Sequence, residues 1–157
     1  MDLTAYDGVK SQLGRCGIWC GCCIVGNGVE AELARRHIEL IGGYGIDHWG
    51  PAGADYEGLK RTMAALGALE RCPGCRNGGG RDGCPLRACA EERGHDDCTE
   101  CDEAGRCEHD RDIEHMRSGA AKARMFVKAG RCDTGILLAS WQAQQRSRWP
   151  DALLFLE

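Results

Sequence analysis

The chain has 157 residues, 12 cysteines, 23 glycines and a formal net charge of −4. That length accommodates one domain of ordinary size, while four Trp, three Tyr and two Phe leave few large anchors for an apolar core. No apolar run approaches the ~20 residues that cross a bilayer, which excludes a membrane-spanning helix, and the slight acidity offers nucleic acid no general attraction.

Met1-Asp2-Leu3-Thr4 lacks a basic region followed by an apolar stretch, so no signal peptide is expected and the expected compartment is the cytoplasm. A first cysteine block follows: Cys16, Cys20, Cys22 and Cys23. Val29, Leu33, His37, Leu40 and Ile41 then recur at three- and four-residue steps among charged neighbours, which predicts an amphipathic helix ended by Gly42-Gly43. Residues 43–54, with Gly50-Pro51, read as a turn-rich crossover. Tyr56, Leu59, Met63, Leu66 and Leu69 make a second helical stripe with Asp55 as its N-cap.

After Leu69 the periodicity stops. The glycines and proline of Cys72-Pro73-Gly74-Cys75 and of residues 76–80 favour neither helix nor strand. One or two helical turns are predicted from Pro85 to Arg93, stopped by Gly94. The stretch to Glu114 has hardly any apolar side chain, so burial cannot offset its ordering entropy and something else must fix it. Beyond it, Ile113, Met116, Ala120, Ala123 and Val127 share one helical face, and Ile136, Leu137, Leu138 and Trp141 make another. A short terminal helix is expected at Ala152-Leu153-Leu154-Phe155-Leu156, after Pro150. Strand signals are weak.

Charge divides the second half. Residues 91–114 hold eleven acids and three bases; residues 115–149 hold seven bases and one acid, Asp133. The plain reading is two solvated faces of one small domain, paired with each other. The sharper reading is a basic surface, with Arg117, Lys122, Arg124, Lys128 and Arg131, that docks an acidic protein partner.

The chemistry sits in the cysteines. A reducing compartment favours metal ligands over disulfides, and two cysteines two residues apart let a tight turn aim both sulfurs at one ion. Three such steps occur: Cys20 to Cys23, Cys72 to Cys75 and Cys98 to Cys101. Cys72, Cys75, Cys84 and Cys89 suffice for one closed four-sulfur site, usually zinc when structural. Cys98, Cys101 and Cys107 supply three ligands of a second, completed by His109 or by a cysteine of the first block. On so polar a run His95, His109 and His115 are more simply solvated side chains. Cys16, Cys20 and Cys23, in CxxxCxxC spacing, also suit three ligands of a [4Fe–4S] cluster. That spacing matches the cluster loop of radical enzymes using S-adenosylmethionine as well, but the chain is too short for their barrel. Cys22 reads as a spare thiol beside the site and Cys132 as a small packed residue. No histidine stands near a cysteine in a familiar catalytic motif. The glycine-rich stretch after Cys75 is no phosphate loop, because no strand precedes it and no GK[ST] follows.

Four ordered motifs carry a resemblance: Cys16-Gly17-Ile18-Trp19-Cys20 to Cys23, then Cys72-Pro73-Gly74-Cys75-Arg76, then Cys84-Pro85-Leu86-Arg87-Ala88-Cys89-Ala90, and last Cys98, Cys101 and Cys107. In that order they resemble the family called domain of unknown function 3795. The resemblance implies metal binding through cysteines and no established activity.

The expectation is therefore a mostly α, small helical single domain over residues 1–157. Residues 13–107 form an irregular, loop-rich cysteine region held by metal, and residues 113–157 a helical extension. Two zinc sites drawn from Cys16, Cys20, Cys23, Cys72, Cys75, Cys84, Cys89, Cys98, Cys101 and Cys107 make it a binding or adaptor module more readily than an enzyme. The alternative is a [4Fe–4S] protein in electron transfer or a small redox-enzyme subunit.

Overall fold

Helices form where a periodic stripe meets a cap, and the computed structural model describes residues 5–9, 11–103 and 106–149. Helix α1 spans Val29–Tyr44. Its start is tied to the first cysteine block by Asn27, whose carboxamide accepts from the Val29 N–H at 3.0 Å and donates to the Gly21 carbonyl at 2.8 Å. The helix does not end at Gly42-Gly43 as predicted. Each of those glycines costs only ~1 kcal/mol inside a helix. The stop is Gly45, whose left-handed φ of +61° lets its N–H return to the Gly42 carbonyl.

The crossover then contains one further turn, α2 (Ile46–Trp49). Helix α3 (Tyr56–Gly67) is capped as predicted: the Asp55 carboxylate accepts from the Gly58 N–H at 2.7 Å. It returns along α1, where the Arg35 guanidinium reaches the Gly67 carbonyl at 2.8 Å, and Lys60 pairs with Asp47 of α2 at 2.6 Å. No residue of α3 is buried, so α1 to α3 form a hairpin whose outer helix is solvated on most sides.

Helix α4 (Pro85–Glu92) starts on its proline and gives way at Gly94, φ +68°. Helices α5 (Asp110–Lys122) and α6 (Thr134–Arg148) follow, the latter capped by Asp133, which accepts from the Ile136 N–H. Val127 does not continue the face of α5. The chain turns at Arg124, φ +55°, and Val127 makes an isolated antiparallel bridge with Ile18. Among the described residues this bridge and another, between Leu13 and Trp19, stand in place of any strand. The chain is thus mostly helical, with a loop-rich cysteine region. The expected terminal helix at residues 152–156 and the reading of Met1–Thr4 lie outside the described residues.

The core is assembled on Trp19, which is fully buried. Tyr6 and Trp141 stack on it with centroids 5.3 and 5.9 Å away, and Phe126 tilts against it at 5.7 Å. Its indole N–H donates to the Gln12 side chain at 2.6 Å. A Cβ on Gly21 would collide with that pair, so only glycine fits beneath the ring. Trp141 belongs to α6 and Phe126 to the loop before it, so residues after 113 complete the core of the cysteine region. Ile136, counted in the same stripe, is 73% exposed, because the buried face of α6 runs through Trp141 and Gln145 instead.

Candidate metal centre

Cys16, Cys20, Cys23, Cys72, Cys75 and Cys84 line a single cavity of about 460 Å³. The Ile18–Val127 bridge fixes the chain between Cys16 and Cys20, and a tight turn over Cys20–Cys22 follows. The Cys72 N–H donates to the Gly26 carbonyl at 2.9 Å, which stitches the second motif to the first. Cys84 is the N-cap of α4. Glycines let these sulfurs approach: a Cβ on Gly14 would lie 3.3 Å from the Cys20 sulfur and 3.6 Å from that of Cys16. One on Gly26 would lie 3.5 Å from the Cys23 sulfur and 3.3 Å from the Cys72 Cβ. Backbone N–H groups already point at sulfur, Arg15 at Cys75 (3.2 Å) and Gly26 at Cys23 (3.4 Å), as they do around thiolates that carry charge.

Gly79 gives the sharpest test of this packing, since its Cβ would lie 2.7 Å from the Cys72 sulfur. Gly79→Ala is expected to lower stability by ~1–3 kcal/mol, the range for overpacking. Gly42→Ala, which meets nothing within 4 Å, is expected to cause no loss. Chemical denaturation of the two variants side by side checks the difference.

The second cavity, about 140 Å³, is lined by Cys89, Cys98, Cys101 and Cys107. This division differs from the predicted one, which grouped Cys89 with Cys72, Cys75 and Cys84. The reason is α4. Five helical steps of about 100° turn Cys89 about 140° away from Cys84, so the helix presents one sulfur to each cavity. A fourth cysteine therefore accompanies Cys98, Cys101 and Cys107 without recourse to His109. His95 and His109 nevertheless line this cavity with Arg93 and Arg117 and are partly buried, whereas His115 borders the first cavity but is exposed, as a solvated side chain is. The His109 N–H points at the Cys107 sulfur at 3.4 Å, and the Arg93 guanidinium stands 3.9 Å from that of Cys101.

Arginines that cysteine spacing alone does not flag hold the loops. Arg15 donates to the His95 and Asp96 carbonyls, and Arg76 to the Leu13 and Asp96 carbonyls and the Asp96 carboxylate. Arg87 donates to the carbonyls of Cys75, Gly79 and Arg81. Each of these side chains offers five N–H donors in a fixed fork, which suits one residue to several loop carbonyls. Their one signal in the sequence is position, next to or within the cysteine motifs. The acidic run is pinned in the same way. Asp97, 1% exposed, accepts from Lys128 at 2.7 Å and from the Thr99 N–H at 2.8 Å, closing the Cys98–Glu100 turn. Arg131 donates to the Glu100 carbonyl and pairs with Asp102 at 2.8 Å. Burial works to raise the Asp97 carboxyl, but the hydrogen bonds from Lys128 and Thr99 outweigh it and hold it below the ordinary carboxylate range. The paired-faces reading of the two charge runs thus has residues behind it.

The described cysteines are all free thiols. Burial, then the neighbouring sulfurs of Cys75, Cys16, Cys23 and Cys72, push the Cys20 thiol up to about 12. Burial, then Cys16, Cys89 and Cys107, push that of Cys98 to about 11. Thiols crowded in this way cannot all ionise against each other, and a cation among them removes the conflict. In chemical kind the donors fit a soft or borderline ion. As placed, no three His, Cys, Asp or Glu side chains among the described residues form a group that could hold a metal ion. Cys22 belongs to neither cavity group: it is buried in the aromatic core and its thiol donates to the Trp19 carbonyl at 3.0 Å. Cys132 is exposed rather than packed, since it lies on the loop before α6.

The chain belongs to the family described as Protein of unknown function (DUF3795), which matches residues 12–112. That stretch contains all ten cysteines of the two cavities and stops short of Phe126 and Trp141, which cover Trp19. No curated protein and no solved structure matches the chain.

Proposed function

We propose that this protein is a thiolate metal-binding module in which zinc organises the loop-rich half, acting as a binding or adaptor domain in the cytoplasm rather than as an enzyme. The observation that carries this reading is the division of ten free cysteines, distant in sequence, into one six-thiol and one four-thiol cavity. Cysteines kept for packing alone have no reason to gather so, and zinc is the usual occupant of closed four-sulfur structural sites. No helix among the described residues is long and apolar enough to cross a membrane.

A protein partner remains part of the proposal, but the basic third offers it few uncommitted cations. Lys128 and Arg131 are engaged within the chain, and the Arg146 and Arg148 guanidinium groups lie over the Tyr6 and Phe126 rings.

Elemental analysis of protein purified without oxygen is the direct test. A colourless protein with stoichiometric zinc is the expected result. A brown, iron- and sulfide-containing protein would replace zinc with a [4Fe–4S] cluster and the adaptor role with electron transfer. A folded, metal-free protein would remove the proposal altogether.

A further inference from the structure

A third cavity, about 800 Å³, adjoins the six-thiol one across Cys23 and Met125. Apart from Cys23, none of its side chains is a candidate metal ligand. Its volume falls within the roughly 300–1,000 Å³ of small-molecule pockets, which are mostly apolar with a few placed polar groups. Ile24, Val25, Met125 and Trp149 supply the apolar wall, and three of them stay partly in water: Ile24 is 37% exposed, Val25 52% and Trp149 38%.

Three polar side chains enter this apolar setting. Gln145 is only 6% exposed and lines the cavity, yet among the described residues its carboxamide has no hydrogen-bond partner. A buried amide is costly to leave unpaired, so a group that enters the cavity and pairs with it lowers the free energy. The left-handed turn at Arg124 and the end of α6 at Arg148 bring two cations to the same cavity. No Asp or Glu stands among the described residues that line it. Arg124 makes no ion pair and no side-chain hydrogen bond among the described residues. The Arg148 guanidinium carbon lies 4.7 Å from the centroid of the Phe126 ring, a contact that leaves its N–H donors for an acceptor.

The geometry points to a binding site for a small carboxylate with an apolar body, of the kind a medium-chain fatty acid presents. The apolar wall takes the body. Arg124 and Arg148 take the carboxylate through charge-assisted hydrogen bonds, and the Gln145 carboxamide donates to it. Neither half of such a ligand satisfies the cavity alone. A bare anion leaves the wall wet, and a hydrocarbon leaves the carboxamide and both cations unpaired. The inference is independent of which ion the thiols hold.

The test is titration of octanoate, 1-octanol and acetate into the full chain, reduced and with its metal as isolated, followed by amide proton–nitrogen spectra. Octanoate is expected to bind saturably and to shift the amides of residues 22–25, 123–125 and 145–149. Octanol and acetate are each expected to bind at least about tenfold more weakly, since each lacks one half of the ligand. Arg124 is exposed, so Arg124→Gln leaves the fold intact; it is expected to weaken octanoate about tenfold and to leave octanol unchanged. Gln145→Leu is expected to weaken octanoate as well. Equal affinity for octanoate and octanol would overturn the site. So would an undiminished octanoate affinity in Arg124→Gln, shifts scattered over the chain, or no saturation by octanoate.

Discussion

Chelating the proposed zinc from the reduced protein is expected to unfold residues 72–107 while the protein stays in solution. The expectation follows from how little apolar burial holds that region. Among its described residues the buried apolar side chains are Leu86 and Ala90, both on α4. Around α4 run loops rich in glycine and acid, whose backbone ordering costs ~1–2 kcal/mol per residue. Two buried aliphatic groups contribute a few kcal/mol at most. Structural zinc supplies an apparent ~10–16 kcal/mol per site, comparable to the whole stability of a typical domain at ~5–15 kcal/mol. Hydrogen exchange of the holo and chelated forms reads the outcome directly. Amides of residues 72–107 are expected to lose their protection, and trypsin to cut at Arg76, Arg81, Arg87 and Arg93. If protease resistance survives chelation with the metal shown to be gone, the arginine clamps and ion pairs suffice by themselves and metal is not what orders the loops.

Those clamps mark the limit of what is legible in the sequence alone. Helices α1, α3 and α4 are legible because a period of three to four residues coincides with a cap or a breaker: Asp55 before α3, Pro85 and Gly94 around α4. The end of α1 is not, because the glycine pair that suggests it is only a weak breaker, whereas the left-handed turn that does stop the helix sits at Gly45. Val127 fits the helical face of Ile113 and Met116 by arithmetic, yet Arg124 takes the chain out of the helix and pairing with Ile18 claims the residue. The candidate ligands are legible as a set, since cysteine spacing is a strong local signal. Their partition is not, because it depends on which way α4 turns Cys84 and Cys89. Nor does a run of eleven acids reveal that Asp97 alone is buried; that is a property of where Lys128 arrives from thirty-one residues away.

Replacing Lys128 by methionine is expected to cost ~3–5 kcal/mol, far more than a surface pair. Lys128 and Asp97 are each 1% exposed, so removing the ammonium leaves a carboxylate with its charge uncompensated in the interior. Glu100, 3.7 Å from the same ammonium, is then left facing Asp97 with like charge. Lys128 also stands at a junction. Its N–H donates to the Gly17 carbonyl at 2.8 Å, between Cys16 and Cys20, while its ammonium holds the turn that carries Cys98 and Cys101. One residue thus ties the chain between Cys16 and Cys20 to the turn of the second cavity. The double variant Lys128→Met with Asp97→Asn is expected to recover much of the loss. An amide there needs no counter-ion, and its oxygen still accepts from the Thr99 N–H, which Asp97 now serves at 2.8 Å. Urea denaturation of the single and double variants, run with the metal bound, decides the matter. A single variant within about 1 kcal/mol of the parent would place this pair with ordinary surface contacts, and a double variant no better than the single would mean that the lysine acts through its aliphatic stem rather than its charge.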